Sequence, residues 1–170
     1  MTSLTFFPVD GYWFASETPD DLGTTATPQM AAVQGLVDLI PRVPVGFSIF
    51  IPDLDVRGDG TLIADTSLSF PPRTARIWNG RLSTINVEDT PTIELLAETT
   101  DLGLDAELLP DTDGHLIYDV RFREVTFNQA PQAISHFGFR ASTDDTPIVL
   151  TDPALVRLPY GGPMLGHGMQ

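Results

Sequence analysis

Apolar and polar residues alternate with a period of two through most of the chain, the pattern of strands half-buried on a sheet. The longest run is Leu116–Asn128, LIYDVRFREVTFN. Leu116, Tyr118, Val120 and Phe122 fall on one side, and Ile117, Asp119, Arg121 and Arg123 on the other. The phase slips after Glu124, where Val125 and Phe127 carry the apolar side onward. One surplus residue in a long strand reads as a β-bulge, which keeps the apolar set on one face. Arg73–Val87 predicts a hairpin, because Asn79-Gly80 sits between two alternating runs and accepts the positive φ angles of a type I′ turn.

Further strands are expected over Val45–Ile51, Thr61–Phe70, Thr92–Ala97, Ala133–Arg140 and Pro147–Leu150. Pro52-Asp53, Gly58-Asp59-Gly60, Pro71-Pro72 and Asp113-Gly114 separate them as turns. Met30–Ile40 fits two periods. A helix places Val33, Leu36, Val37 and Ile40 on one face, whereas a strand alternates Ala31, Val33, Gly35, Val37 and Leu39. The strand is favoured, because a central glycine weakens a short helix and a strand accommodates Gly35 at a bulge. Short strands between Gly, Pro and Asp turns predict an all-β fold: an antiparallel β-sandwich or jelly-roll-like single domain over residues 1–160. Residues 17–29 read as a polar loop. Residues 161–170, GGPMLGHGMQ, lack periodicity and predict a flexible C-terminal arm, extended or disordered.

Composition narrows the functional classes. There is no cysteine, which excludes disulfides, thiolate metal sites and thiol nucleophiles together. The net charge of −14 argues against nucleic acid, whose phosphates need clustered cations. Membrane insertion is not expected, since the longest apolar stretch, Val45–Ile51, is far shorter than a spanning helix. The first twenty residues show neither the basic start nor the small-residue site of a cleavable signal peptide. All nine cations are arginine, and the absence of lysine points to a GC-rich genome.

Asp53, Asp55 and Asp59 occupy positions one, three and seven of a calcium-loop pattern with Gly58 at six, but Arg57 and Ala64 stand where further oxygen ligands are needed. An acidic β-turn is the expectation there, and Arg57-Gly58-Asp59 is read as chance. His115, His136 and His167 lack the spacing of a local metal clamp, and His136 is expected on the outer face of its strand. No G-x-S-x-G elbow occurs. No catalytic residue, metal site or cofactor is therefore assigned, and the chain is read as not an enzyme.

Aromatic residues are the better candidates. Tyr12, Trp13 and Phe14 are consecutive, so a strand there must turn at least one outward, and Trp78 precedes the Asn-Gly turn. Tyr12, Trp13 and Trp78 are the candidates for a partner interface or for stacking on sugar rings, with core packing as the competing reading. Arg73, Arg76 and Arg81 near the hairpin are candidate interface cations, because arginine favours bidentate pairing at interfaces.

TARIWNGRLSTIN (74–86), ELLAETTDLGL (94–104) and LIYDVRFREVTFNQAPQAISHFGFRASTDDTPIVLTD (116–152) together resemble minor tail proteins of tailed phages infecting actinobacteria. The resemblance covers residues 30–158, and its motifs are the A-R-I-x-x-G-x-L hairpin, Y-x-V-x-F and a terminal F-x-F. It implies a β-rich structural component of the virion, assembling into the distal tail or tail tip and aiding host attachment. The implied partners are other phage tail proteins and further copies of the chain, with a host cell-surface glycan as a candidate. No extended shaft and no peptidoglycan-cleaving segment accompany these motifs, and the resemblance supplies no catalytic residues. The alternative is a carbohydrate-binding β-sandwich module recognising host surface glycans.

Overall fold

The computed structural model describes residues 2–17, 29–85, 92–127 and 130–161, with side chains omitted at 16, 17 and 29–32. Among the described residues thirteen strands run in chain order: β1 Phe6–Asp10, β2 Phe14–Glu17, β3 Gln29–Ala32, β4 Gln34–Pro41, β5 Ser48–Asp55, β6 Ile63–Ser69 and β7 Arg73–Trp78. They continue as β8 Arg81–Thr84, β9 Ile93–Leu96, β10 Ile117–Phe127, β11 Ala130–Pro131, β12 Phe137–Arg140 and β13 Ile148–Val149. The only helical pieces among the described residues are single 3-10 turns at Thr100–Leu102 and Pro110–Thr112. The protein is an all-β, sandwich-like fold, and its strand pairing is antiparallel except between β1 and β13.

One layer is a six-stranded sheet in the order β11-β10-β4-β7-β8, with β12 also paired to β10. The three-stranded sheet β13-β1-β9 and the β5–β6 hairpin cover its apolar face through one continuous core. Three fully buried or nearly buried rings join the layers at its centre. Phe7 of β1 meets Tyr118 of β10 edge-on at 6.2 Å and Phe139 of β12 at 6.5 Å, and Tyr118 stacks on Phe139 at 5.9 Å. Such geometries follow the ring quadrupole. Burial pushes the Tyr118 hydroxyl far above its ordinary pKa, and that hydroxyl donates to the Leu96 carbonyl at 2.9 Å.

The hairpin forms as its turn chemistry predicts, with φ of 52° at Asn79 and 79° at Gly80. The bulge in β10 also forms. Arg123 pairs with Leu36 and Thr126 with Gln34, so Glu124 and Val125 together oppose Gly35. Glu124 takes the positive φ of 52° that this insertion needs. Met30–Ile40 is strand, broken at Val33 into β3 and β4. Gly35 is not itself the bulge, however; it is the single residue facing one. A Cβ added there would lie 2.9 Å from both Cα and Cγ2 of Val125.

Several boundaries differ from expectation. Val45 and Gly46 form a turn, and β5 starts only at Ser48 and continues to Asp55. Thr61 and Leu62 precede β6, and the expected strand over Ala133–Arg140 is paired as strand only from Phe137. Part of the expected 17–29 loop lies outside the described residues, and so does the 161–170 arm except Gly161.

Replacing Gly35 by alanine is predicted to overpack the bulge and destabilise the protein by about 2 kcal/mol. Urea unfolding of the variant beside the unsubstituted protein measures this, and an unchanged midpoint would show that the bulge yields.

Candidate interaction surface

The segment Gly11–Trp13 docks on the free edge of β8. Trp13 N–H donates to the Gly80 carbonyl at 2.7 Å, and Leu82 N–H donates to the Gly11 carbonyl at 3.0 Å. Alternation then divides the three aromatics. Trp13 turns inward and packs edge-on against Phe122 at 5.6 Å, leaving no room for a side chain on Gly11 beneath it. Tyr12 and Phe14 turn outward and remain 46% and 47% exposed. Phe14 lies against Gly80 at the hairpin turn, and Trp78, across the turn from Arg81, is 39% exposed.

Cations organise these rings. The Arg76 guanidinium lies 4.7 Å from the Trp78 ring centre, and that of Arg81 lies 5.7 Å from the Tyr12 ring. Arg76 also donates to Ser83 Oγ. Arg81 grips the Asp10 carboxylate with Nε at 3.2 Å and Nη2 at 2.9 Å, and the Tyr12 hydroxyl donates to the same carboxylate at 3.0 Å. Partial burial pushes the Asp10 carboxyl up, but the Arg81, Gly11 and Tyr12 hydrogen bonds outweigh it and hold the group below its usual value. The Asp10 hydrogen bond in turn raises the Tyr12 hydroxyl. The result is an exposed patch of Tyr12, Phe14, Trp78, Arg76 and Arg81 on a rigid hairpin edge.

Thus the structure brings together four of the six residues singled out by sequence: Tyr12, Trp78, Arg76 and Arg81. It separates the other two. Trp13 is a core contact, and Arg73 donates to the Glu94 carbonyl at 3.1 Å beside a different groove. Phe14 and Asp10 join the patch without having been selected. Phe14 was visible as the next outward position after Tyr12, whereas the Asp10–Arg81 pair spans 71 residues and left no local signal.

Beyond the patch, the outer face of the six-stranded sheet holds buried charge. Asp38 of β4 is 3% exposed, and its carboxylate accepts from Arg123 Nε at 2.6 Å, Arg121 Nε at 2.9 Å and Thr74 Oγ1 at 3.0 Å. Burial raises its carboxyl, and these three partners more than reverse that and leave it below the ordinary value. Asp119 of β10 is 2% exposed and binds Arg42 Nη2 at 2.6 Å. Leu158–Gly161 straps over this end: Leu158 and Gly138 exchange backbone bonds, Arg42 donates to the Pro159 carbonyl, and Gly161 N–H donates to Asp119.

His136 corrects a sequence expectation. It does not stand free on an outer strand face. Its Nδ1 accepts the Phe122 backbone N–H at 3.1 Å, while its ring lies between Phe122 and Tyr160. The imidazole thereby takes the place that another β12 residue would fill, which is why that strand starts at Phe137. Burial and the nearby Arg121 lower its pKa.

The acidic loop after β5 binds itself. Asp55 accepts the Gly58 and Gly60 N–H groups at 2.9 and 2.8 Å, and Asp59 accepts from Thr61 N–H and hydroxyl. Asp53 lies within β5 as part of a second bulge, with φ of 53°. Among the described residues no three His, Asp or Glu side chains converge as a metal site would require. No protein-family model matches the chain, nor does any curated protein or solved structure.

Two predictions follow from the buried charges. Asp38→Ala strands two arginines, and a loss of about 3 kcal/mol is expected, the low end for a broken buried pair because both arginines reach solvent; thermal or urea unfolding reads it. The second concerns pH. Because the folded state lowers the His136 pKa, the unfolded chain takes up that proton first as pH falls through about 6.5. Stability from His136 is therefore complete above that pH and declines below it. The unfolding midpoint is expected to fall between about pH 7 and 5, and His136→Gln, which keeps an acceptor but cannot titrate, is expected to flatten that fall. An identical pH profile in the variant refutes the assignment.

Proposed function

We propose that this chain is a structural component of a bacteriophage virion, a minor tail protein that assembles into the distal tail or tail tip and aids host attachment. Two things support the reading: the resemblance over residues 30–158 and the exposed patch on the Asn79-Gly80 hairpin. The patch is the observation that carries an interaction role. Tyr, Trp and Arg are the side chains that dominate binding energy at protein interfaces, because they bury large area at low entropic cost. Here Tyr12, Trp78, Arg76 and Arg81 are already held by cation–π contacts and the Asp10 carboxylate. Little rotamer freedom remains to be lost on binding.

The reading is non-catalytic. His136 spends its Nδ1 on a backbone N–H, and His115, also half-buried, faces Glu98 at 3.2 Å. The buried carboxylates Asp38 and Asp119 are bound by arginines, and buried Asp55 accepts the Gly58 and Gly60 N–H groups. These groups stabilise the fold.

A second reading has its own support. Trp78 and Tyr12 are exposed aromatic rings set beside hydrogen-bonding cations, an arrangement that also suits stacking on a sugar. In that reading the chain is a β-sandwich module for host surface glycans, and a glycan array separates the two. Saturable binding lost in both Tyr12→Ala and Trp78→Ala favours the module.

For the virion reading, the phage encoding this chain is expected to carry it in purified particles, detected by mass spectrometry and antibody labelling at the tail. Trp78→Ala is expected to weaken its incorporation by about 2 kcal/mol, roughly thirtyfold in affinity, as for a hot-spot aromatic. Absence of the chain from particles refutes the reading.

A further inference from the structure

The β5–β6 hairpin carries an unsatisfied apolar knob on one face and an apolar groove on the other. Along it the side chains alternate in cross-strand pairs: Ile49 faces Leu68, and Phe50 faces Ser67. Ile49 is buried toward the core. Phe50 points away from it and is 69% exposed, flanked on that face by Ser48, Ser67 and Ser69. Below the hairpin a groove of about 220 Å³ opens between β6 and the sheet of β1 and β9. Leu4, Phe6, Leu68, Phe70 and Leu96 line it, with Arg73 and Glu94 at its rim.

We infer that Phe50 of one copy docks into this groove on the next, so that the chain associates with itself head to tail. The inference rests on the reading of the chain as an assembling subunit and names the contact. Charge selects the occupant. Each copy carries −14, so a like subunit can approach closely only where carboxylates are missing. Residues 43–52 and 66–72 contain no charged side chain, and the knob comes from the first and one wall of the groove, Leu68 to Pro71, from the second. The rim charges of the groove are one of each sign. No other large apolar side chain of β5 or β6 is as exposed as Phe50, and a large ring in water gains most from leaving it.

The geometry also fixes the symmetry. A two-fold contact uses the same patch on both subunits, whereas knob and groove lie on opposite faces of one hairpin. The contact is therefore heterologous, and repetition generates a closed ring or an open filament instead of a two-fold dimer.

The outer edge of β6 adds to this surface. Its strand pairs only with β5, and no described residue bonds to its other edge. By contrast, β9 has its free carbonyls at Glu94 and Leu96 taken by Arg73 and by the Tyr118 hydroxyl. An uncovered edge beside an apolar knob is where a sheet protein accepts another chain.

The test uses two variants, each altering one half of the contact at an exposed position. Phe50→Glu places a charge on the knob, and Phe6→Glu, at a 45% exposed position, places one in the groove. Light scattering up to millimolar concentration is expected to show the unsubstituted protein above monomer mass, more so at high salt, which screens the net charge. Each variant alone is expected to remain monomeric, with circular dichroism and unfolding midpoints confirming that it is folded. Mixed in equal amounts, they retain one intact knob and one intact groove between them, and a one-to-one dimer that grows no further is expected. A two-fold contact would stop the unsubstituted protein at a dimer, whereas the head-to-tail contact lets it grow further. An unsubstituted protein that stays monomeric overturns the inference, as does a folded variant that still associates or a mixture that stays monomeric. A monomeric chain found in particles would sink the inference and leave the virion reading standing; an associating chain absent from particles would do the reverse.

Discussion

The register of β10 on β4 is the constraint on which the rest of the structure depends. A slip of one residue would turn Asp119, Arg121 and Arg123 into the core and expose Tyr118, Val120 and Phe122, because side chains alternate across a strand. The bulge at Glu124–Val125 locks against that slip. Gly35 is the residue that lets it sit flat, since any side chain there would strike the Val125 backbone. With the register fixed, the ring cluster of Phe7, Tyr118 and Phe139 can form between the layers. On the opposite face the same register places Asp38 level with Arg121.

That opposite face shows how a sheet can be covered without a second apolar layer. Asp38 and Asp119 are as buried as the core, yet each lies on the outer side, roofed by arginine stems and by the strap Leu158–Gly161. Arginine suits this role because its planar fork satisfies both carboxylate oxygens while its methylenes exclude water. Removing one partner leaves a buried charge, so the network is far more damaging to break than its net contribution implies. His136 packs at the backbone edge of β10, its ring wedged between Phe122 and Tyr160.

Much of the fold was legible because its signals are local. Asn79-Gly80 specifies a turn by backbone chemistry alone, and the phase slip after Glu124 announces a bulge within one strand. What escaped depends on distant partners. β1 contains Pro8 in a five-residue run, and it becomes a strand through β9 and β13, more than eighty residues away. The strand expected from Ala133 shortens because a side chain, His136, occupies a backbone's place. In the candidate surface, the choice between Trp13 inward and Tyr12 outward was a parity question that the sequence posed and only the docking on β8 answered. The grouping of Tyr12 with Arg81 and Asp10 was invisible for the same reason, while Arg73, five residues before Trp78, proved to serve β9 instead.

Charge placement then decides what each surface can accept. Arg42, Arg121 and Arg123 are turned toward the internal carboxylates Asp38 and Asp119, so much of the protein's small stock of cations is neutralised within the fold. The field outside is consequently dominated by carboxylates, and it repels a second copy over most approaches. Two places differ. Along residues 43–52 and 66–72 the charge is simply absent, and a like subunit can come within contact distance without opposing its own charge. At the Asn79-Gly80 hairpin, Arg76 and Arg81 stand among exposed aromatics, and a neutral or acidic partner is the kind that gains there. The two surfaces are thus not redundant. On the proposed reading, the charge-free hairpin would accept a like subunit and the arginine–aromatic patch a neutral or acidic partner.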